Sequence, residues 1–458
     1  MKRLAAIVGW GVCLYVFLLP WQTRWIAVAG QLGSGTSEFL SVSVYATDLL
    51  LVALFLVGAY ITLSPRWGDR RVLAGILAFA LVVVGSAVMA NRTELVVTSW
   101  RLLLIGVLLY WMVQQAWVSR QHLVIAFVAG ATLQAGFGLV QFFSQITPAL
   151  SWLGLAAHDP GMLGTSVVEA GGERWLRAYG SLPHPNILGG YLAVGLLMAF
   201  GLYLQRYQHV REGFQLWKRE NIHRYLEGKR WYWKQALHIL ILLLASTILV
   251  LGLLLTFSRS AWIGFAVAWV LTLGILHQLR WPWGQWLWFK WSVVMGCIAV
   301  VLITVLPQPF LTRATGEGRL EAQSVDVREQ LITDARTLLA KHPLRGVGYG
   351  NAVAATYDQI NRTRAVTAYQ PVHNMYLLSL VELGTIGGLV FFALIVLIGR
   401  AGVETLVRGR SAFALMSLSA FVCLLIVGLF DHYLWTLSAG VGLWWLVAGL
   451  VGRGEREQ

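Results

Sequence analysis

Residues 376–399, YLLSLVELGTIGGLVFFALIVLIG, decide the fold, because this long apolar run contains one charged side chain, Glu382. A helix needs about 20 predominantly apolar residues to cross the roughly 30 Å hydrocarbon core of a bilayer. Similar blocks recur along the 458 residues, of which 57% are hydrophobic and only 12% are charged. An ordinary soluble domain has about 25% charged residues. The composition therefore excludes a soluble enzyme and predicts a polytopic helical membrane protein.

The apolar blocks predict an all-α fold with about 12 transmembrane helices. The expected spans are 4–20, 43–63, 72–90, 99–118, 123–147, 186–204, 237–256, 260–276, 292–307, 376–399, 411–430 and 434–451. They group as helices 1–5 within 1–147, helices 6–9 within 186–307 and helices 10–12 within 376–451, followed by a short tail at 452–458. Two loops, 148–185 and 308–375, are too long to be simple turns, and we expect function there.

Basic side chains orient these spans. Lys2 and Arg3 precede the first block, and the short loops on the same side carry most of the 35 Lys and Arg, as expected of cytoplasmic loops. We therefore expect both termini in the cytoplasm and the two long loops outside it. The basic segment 205–236 also contains Trp and Tyr, which is typical of a helix on an anionic membrane surface. Membrane lipids, and no nucleic acid, are the expected partners of this segment.

The second long loop, 308–375, is expected to contain short amphipathic helices and the catalytic residues. Residues 326–341, DVREQLITDARTLLAK, place apolar side chains such as Leu331 and Leu338 at helical spacing, and Pro343 follows as a breaker. We expect this helix to lie on the membrane surface.

Donor-rich side chains lie near the ends of the spans, where they can meet a membrane-borne anion: Arg177, Arg259, Arg328 and the pair His373-Asn374. Apolar spans flank Arg259 so closely that almost no loop is left, and an arginine so placed needs a partner. The alternative for each arginine is a snorkelling anchor or a solvated surface charge. A histidine at the water boundary can exchange a proton near neutral pH, whereas a helix cap is the plainer interpretation of the pair.

The acidic residues and cysteines within the apolar blocks give weaker indications of function. Asp48 and Glu382 lie inside predicted spans, where a carboxylate is costly unless it is paired. Cys13, Cys297 and Cys423 are far apart and form no CxxC or Cys/His cluster. No thiolate metal site is therefore indicated.

Three stretches carry a family resemblance: LLLTFSRSAWIG at 253–264, VREQLITDARTLLAKHPLRGVGYGN at 327–351 and HNMYLLSLVELGTIGG at 373–388. Their order and spacing resemble the O-antigen ligase and polymerase superfamily, whose members have many spans and one large periplasmic loop. The superfamily's motifs fall on Ser258 and Arg259, on Pro343, Gly346 and Gly348, on His373, Asn374 and Gly384, and, in RAYGSLPHPNILGGYL, on Arg177, Gly180, Pro185 and Asn186.

The resemblance implies an inverting glycan transfer in a bacterial inner (plasma) membrane, with no metal and no cofactor. A polyprenyl-pyrophosphate-linked glycan would be the donor. Arg177, Arg259 and Arg328 would neutralise its pyrophosphate, whose charge grows as the anomeric bond breaks. His373 would take or orient the proton of the acceptor hydroxyl. The expected substrate-binding residues are Asn374, Ser258, Asn186, Gly346 and Gly348.

The acceptor stays open, because ligases and polymerases of this superfamily share the same motifs. A ligase would use a hydroxyl of lipid A-core or of a protein, and a polymerase would use another glycan. Bicarbonate-type transporters also resemble the superfamily, and such a transporter would depend on Asp48 or Glu382 rather than on His373. An assembly partner would depend on whole loops rather than on single residues.

Overall fold

The computed structural model describes residues 1–87, 92–219, 225–316 and 319–453, which are mostly helical. The first helices are α1 Lys2–Leu18, α2 Ala46–Ile61, α3 Arg70–Ser86, α4 Thr93–Gln114, α5 Arg120–Ser144, α6 Pro185–Arg219, α7 Tyr225–Leu255 and α8 Arg259–Gln278. The others are α9 Pro282–Val305, α10 Pro307–Thr315, α11 Arg319–Lys341, α12 Ala352–Gln359, α13 Met375–Gly409, α14 Ala412–Gly428, α15 Tyr433–Thr436 and α16 Ser438–Gly452. The short strands are β1 Arg24–Val28, β2 Gln31–Leu32, β3 Gly35–Thr36, β4 Val42–Tyr45, β5 Val167–Ala170 and β6 Glu173–Leu176.

Each predicted span overlaps at least one of these helices. Within the described ranges, 7 helices are long and apolar enough to cross a membrane: Glu94–Gln114, Arg120–Ser144, Pro185–Glu212, Trp233–Leu255, Arg259–Gln278, Pro282–Val305 and Met375–Gly409. The apolar helices α2, α14 and α16 are shorter. The helices indicate a multi-pass membrane protein, but the expected number of spans is not confirmed. Residues 88–90 of the span expected at 72–90 lie outside the described residues.

The fold is mostly helical, as predicted, and short antiparallel strand pairs form in the loops. β1 pairs with β4, with Arg24 opposite Tyr45. Hydropathy places residues 43–45 at the start of a span, but the β-branched side chains of β4 favour a strand. β5 pairs with β6 across Gly171 and Gly172, whose φ angles of 63° and 80° suit a two-residue hairpin turn. β2 and β3 form a third, smaller pair.

The central helix of the bundle is α6, which is almost fully buried along its apolar length. Small residues let its neighbours approach closely. A Cβ added to Gly195 would lie 2.9 Å from Ala131 Cβ on α5, and one added to Gly189 would lie 2.8 Å from Ser258 Cβ. Membrane helices associate through such packing, because lipid chains are as apolar as the side chains they contact. As a result, the first turns of α6 and α8 lie side by side.

The basic segment expected as a loop at 205–236 is helical where it is described, because α6 runs to Arg219 and α7 begins at Tyr225. Residues 220–224 lie outside the described part, as do residues 454–458 of the expected tail. The binding of this segment to a membrane surface stays a prediction.

The helix expected at 326–341 is confirmed as part of α11, which ends at Lys341 before the predicted breaker. Its expected position on the membrane surface stays a prediction, but its apolar face does not contact lipid. Leu331, Ala335 and Leu338 are 4%, 5% and 1% exposed and belong to the main hydrophobic core. The apolar face is covered by protein rather than lipid, because α11 packs against α13.

Both carboxylates inside predicted spans have partners. Asp48 accepts hydrogen bonds from the Arg101 guanidinium and from the Tyr45 backbone N–H. Glu382 Oε2 accepts a hydrogen bond from Trp435 Nε1 at 2.7 Å. Such pairing explains how the fold tolerates two acids at these depths.

Candidate active site

The tight turn at 256–258 collects two buried arginines. It joins α7 to α8, and Phe257 adopts a left-handed φ of 48°. Arg177 Nε donates to the Thr256 carbonyl oxygen at 2.7 Å, and Arg313 Nε donates to the Phe257 carbonyl oxygen at 2.8 Å. The two arginines are only 5% and 8% exposed. Their guanidinium groups therefore hold the C-terminal carbonyls of α7, as basic side chains often do at helix ends.

Arg259 adds a third guanidinium group. It is the first residue of α8 and follows Ser258, the N-cap residue whose side chain accepts a hydrogen bond from Ala261 N. A Cβ built on Gly316, directly after α10, would lie 4.0 Å from Arg259 Nη1. Arg259 thus lies close to the end of α10, the helix that carries Arg313. Three guanidinium groups near one turn form a donor-rich arrangement that suits a pyrophosphate.

A polar chain links this cluster to His373. Arg177 Nη2 donates to Asn186 Oδ1 at 2.7 Å, and Asn186 Nδ2 donates to Asp431 Oδ2 at 3.1 Å. Asp431 Oδ1 lies 3.7 Å from His373 Nδ1, which is longer than a hydrogen bond. Within the described residues, His373 Nδ1 is buried without a hydrogen-bond partner. Catalytic hydrogen bonds are often long without substrate and shorten when it binds.

Two further histidines flank Asp431. The ring of His432 lies 5.0 Å from the ring of His373, measured between centroids. The ring of His184 accepts a hydrogen bond from Asn186 N at 3.1 Å. The site therefore assembles residues from before α6, before α13 and after α14.

Burial determines the charge of this cluster. Burial, with the charge of His373, lowers the pKa of His432 to about 3, although Asp431 opposes the shift. Burial, with the charge of Arg177, likewise lowers the pKa of His184 to about 3. Burial alone would raise the pKa of Asp431, but the polar contact and charge of His373, with the charges of the other two histidines, hold it well below its usual value. Near neutral pH, Asp431 therefore presents a negative charge to His373.

Helix N-termini add positive potential at the same place. α6, α8 and α13 begin at residues that belong to, or directly follow, this cluster. Asn374 is the N-cap of α13, where its Oδ1 accepts from Tyr376 N at 3.0 Å and its Nδ2 donates to the Leu429 carbonyl at 3.1 Å. The first turn of a helix favours anions. The structure gives Asn374 a capping role, and its contact with substrate stays a prediction.

Arg328 is not part of the arginine cluster. It lies partly exposed on α11 and makes no hydrogen bond or ion pair with the described residues. Arg313, in a segment with no diagnostic motif, holds the turn instead. The catalytic role of Arg328 stays a prediction.

The two motif glycines of the long loop act through their backbone. Gly346 and Gly348 have left-handed φ angles of 67° and 100°. Gly348 N donates to the Glu382 carbonyl at 2.8 Å, beside the point where Gly384 interrupts α13 with φ 66° and ψ −177°. The glycines fit the loop against this break, and their contact with substrate stays a prediction.

Gly346→Ala should therefore disturb folding rather than substrate affinity. A Cβ there would lie 2.4 Å from the Glu382 carbonyl oxygen, in addition to the left-handed backbone strain. We expect the free energy of unfolding to fall by about 2 kcal/mol or more, measured as thermal unfolding in detergent. Gly296→Ala on α9 is the control, because nothing lies within 4 Å of its Cβ position. A normal unfolding temperature with a raised substrate KM would contradict the packing role.

The sequence alone singles out neither Asp431 nor His432. They follow α14 in a short interhelical turn without a diagnostic motif. His184 is also missed, because flanking prolines suggest a rigid turn whose side chain faces water. An acid and a histidine, Asp431 and His432, are adjacent in this interhelical turn. That pair is the sequence signal that could have drawn attention to the segment.

His373, Asp431 and His432 each offer a ligand atom within 4.8 Å of the others, a spacing that could hold a metal ion. The carboxylate of Asp431, however, accepts hydrogen bonds from Asn186 Nδ2 and from the His432 backbone N–H. His432 Nδ1 lies 2.7 Å from Thr436 Oγ1. Because the Asp431 carboxylate and His432 Nδ1 are engaged in hydrogen bonds, the donor set favours a polar relay over a metal centre.

Comparison with known protein families gives a match for part of the chain. Residues 241–392 match the O-antigen ligase family. The matched segment is O-antigen ligase-like. The matched segment runs from α7 into α13, so it includes Arg259, Arg313 and His373 but neither Arg177 nor Asp431. No curated protein matches the chain. The O-antigen ligase family implies a glycosyltransferase-like membrane enzyme with glycan and lipid-linked substrates.

Proposed function

We propose that this protein transfers a glycan from a polyprenyl-pyrophosphate carrier to an acceptor hydroxyl, with inversion and without a metal. The observation that carries the proposal is the chain Arg177–Asn186–Asp431–His373, which joins a guanidinium cluster to a histidine. An anionic leaving group and a hydroxyl nucleophile need these two kinds of group side by side. The same site could serve a ligase or a polymerase.

The arginines would stabilise the leaving group. Arg177, Arg259 and Arg313 surround the turn at 256–258, next to the first turns of α6 and α8. Negative charge grows on the pyrophosphate as its bond to the sugar breaks. Guanidinium forks and helix N-termini fixed in advance stabilise such charge without reorganising.

His373 would act as the base. If Asp431 holds the proton on Nδ1, Nε2 carries the free electron pair. The acceptor oxygen then attacks the anomeric carbon on the face opposite the pyrophosphate, and its proton moves to Nε2. The bond between the anomeric carbon and the pyrophosphate oxygen breaks, and the leaving group takes the electron pair. Attack from the opposite face inverts the anomeric configuration.

Asp431 would act as a positioning residue. We expect Asp431→Asn to lower kcat about 100-fold, because the amide no longer selects the productive tautomer of His373. Because Asp431 would act through His373, the loss should fall on kcat while the donor KM stays unchanged. Asp326→Asn, on the exposed side of α11, is the control. A purely structural role would instead lower the thermal unfolding temperature together with the activity.

The proposed function is tested in liposomes containing purified protein and a short polyprenyl-pyrophosphate-linked glycan. Chain growth without an added acceptor would indicate a polymerase. Turnover only after addition of lipid A-core or a protein acceptor would indicate a ligase. Activity should persist in EDTA. Failure to release the pyrophosphate lipid with every donor and acceptor would overturn the proposal, and solute uptake by the same liposomes would then favour a transporter.

A further inference from the structure

A polar cavity lies beside His432, whose ring is 5.0 Å from the ring of His373. It measures about 60 Å³ and lies between the β1–β4 pair, α4, α13 and α15. One ordered water needs about 10–15 Å³ by this measure, so the cavity has room for several hydroxyl groups. Pro371, two residues before His373, and Thr436 both line it. Thr436 Oγ1 is also the partner of His432 Nδ1.

The cavity contains buried polar atoms with no partner among the described residues: Ser43 Oγ, Thr98 Oγ1 and Arg101 Nε. Ser43 is only 5% exposed. The other nitrogens of Arg101 are used, because Nη1 donates to Asp48 and Nη2 donates to Ser438 Oγ. Buried polar groups are nearly always satisfied in native proteins. Three unsatisfied atoms around one cavity therefore point to a polar occupant.

The lining defines the chemistry of that occupant. Arg24 and Arg101 are balanced by Glu38 and Glu382, so the cavity has no excess positive charge to attract a phosphate. Aromatic side chains, including Trp435, form part of the wall. Apolar rings combined with a few fixed hydrogen-bonding groups are typical of a specific site for a small organic group. An uncharged, hydroxyl-rich sugar residue fits this lining.

The arginine cluster and the cavity connect to the His373 cluster through different residues. Asp431 is linked to Arg177 through Asn186, whereas His432 is linked to the cavity through Thr436. A transfer with inversion needs the leaving group and the attacking hydroxyl on opposite faces of the anomeric carbon. With pyrophosphate at the arginines, the cavity beside His432 supplies a separate place for the hydroxyl.

We propose that this cavity is the acceptor subsite and binds the uncharged sugar residue that carries, or adjoins, the attacking hydroxyl. The inference rests on the proposed glycan transfer. Ser43, Thr98 and Arg101 would hydrogen-bond the sugar and aim its hydroxyl at His373. These residues belong to β4 and α4, outside the segment that matches the O-antigen ligase family.

The test combines Ser43→Ala with Thr98→Val in the liposome assay, using a labelled short oligosaccharide of the donor's repeat unit as acceptor. We expect the acceptor KM to rise about tenfold, because each lost hydrogen bond costs a few-fold in affinity. The donor KM, and release of the pyrophosphate lipid without acceptor, should be unchanged. Thermal stability should also be unchanged, since the removed hydroxyls have no partner in the described protein. Val97→Ala, the neighbouring exposed position on α4, is the control.

An unchanged acceptor KM would overturn the inference and leave the cavity to ordered water, while a raised donor KM would assign it to the donor sugar. A second measurement needs no turnover. The labelled oligosaccharide should bind to His373→Ala protein, and adding Ser43→Ala with Thr98→Val to that protein should weaken the binding about tenfold. Unchanged binding would also overturn the inference. Failure of the proposed function can be told apart from failure of this inference, because wild-type protein would then release no pyrophosphate lipid.

Discussion

His373→Ala is expected to reduce glycan transfer by about 10²- to 10⁴-fold, the range that a general base contributes. The residue lies where Asp431 can orient its Nδ1, and the proposed chemistry provides no other proton acceptor. The measurement is the initial rate of pyrophosphate-lipid release in liposomes at saturating donor. Thermal unfolding should be little changed, because His373 Nδ1 has no hydrogen-bond partner among the described residues.

His342→Ala is the matched control for this experiment. His342 belongs to the same long loop, but its Nε2 lies 2.9 Å from Gln359 Oε1 on the exposed surface. We expect less than a twofold effect there. If His373→Ala keeps most of the wild-type rate, the proton must go elsewhere and the proposed mechanism is wrong.

Arg259→Ala is expected to lower kcat about 10²- to 10³-fold, comparable to removing one fixed donor from a developing anion. Arg259 stands at the first turn of α8 beside the end of α10. Arg259→Lys should recover only part of the rate, because an ammonium group lacks the planar fork that matches two phosphate oxygens. Substitution should change kcat more than donor KM if the interaction strengthens in the transition state.

Arg280→Asn provides the control at the other end of α8. Arg280 follows the helix with a left-handed φ of 50°, which Asn tolerates, and it should leave the rate unchanged. Arg328→Ala belongs in the same series, because the family resemblance predicts a catalytic role for Arg328 whereas the structure places Arg313 at the turn. Equal losses for the Arg259 and Arg280 variants would contradict a local role in binding pyrophosphate.

Part of the candidate site could be predicted because its residues lie beside strong local signals. Arg259 stands between two apolar blocks, and His373 directly precedes one. The helix at 326–341 could be predicted because apolar spacing and a proline breaker are local properties of the chain. The position of that helix could not, since apolar side chains can be buried equally well by lipid or by protein.

The strand pairs escaped prediction for a related reason. Val42–Tyr45 is apolar and adjoins an apolar helix, so hydropathy cannot separate the two elements. The Gly171-Gly172 turn between β5 and β6 is a recognisable hairpin signal, but it lies in a loop whose length alone suggested function rather than structure.

Hydropathy and charge patterning, by themselves, determined that this chain forms a multi-pass helical bundle with two long loops, because membrane insertion depends on apolar length. Motif spacing also indicated Arg177, Arg259 and His373. Only the tertiary structure joined Arg177 to His373 through Asn186 and Asp431, which lie 245 residues apart in sequence. The tertiary structure also forms the polar cavity between β4 and α4. Such contacts depend on how the helices pack around α6, and no local pattern encodes which distant polar groups will meet.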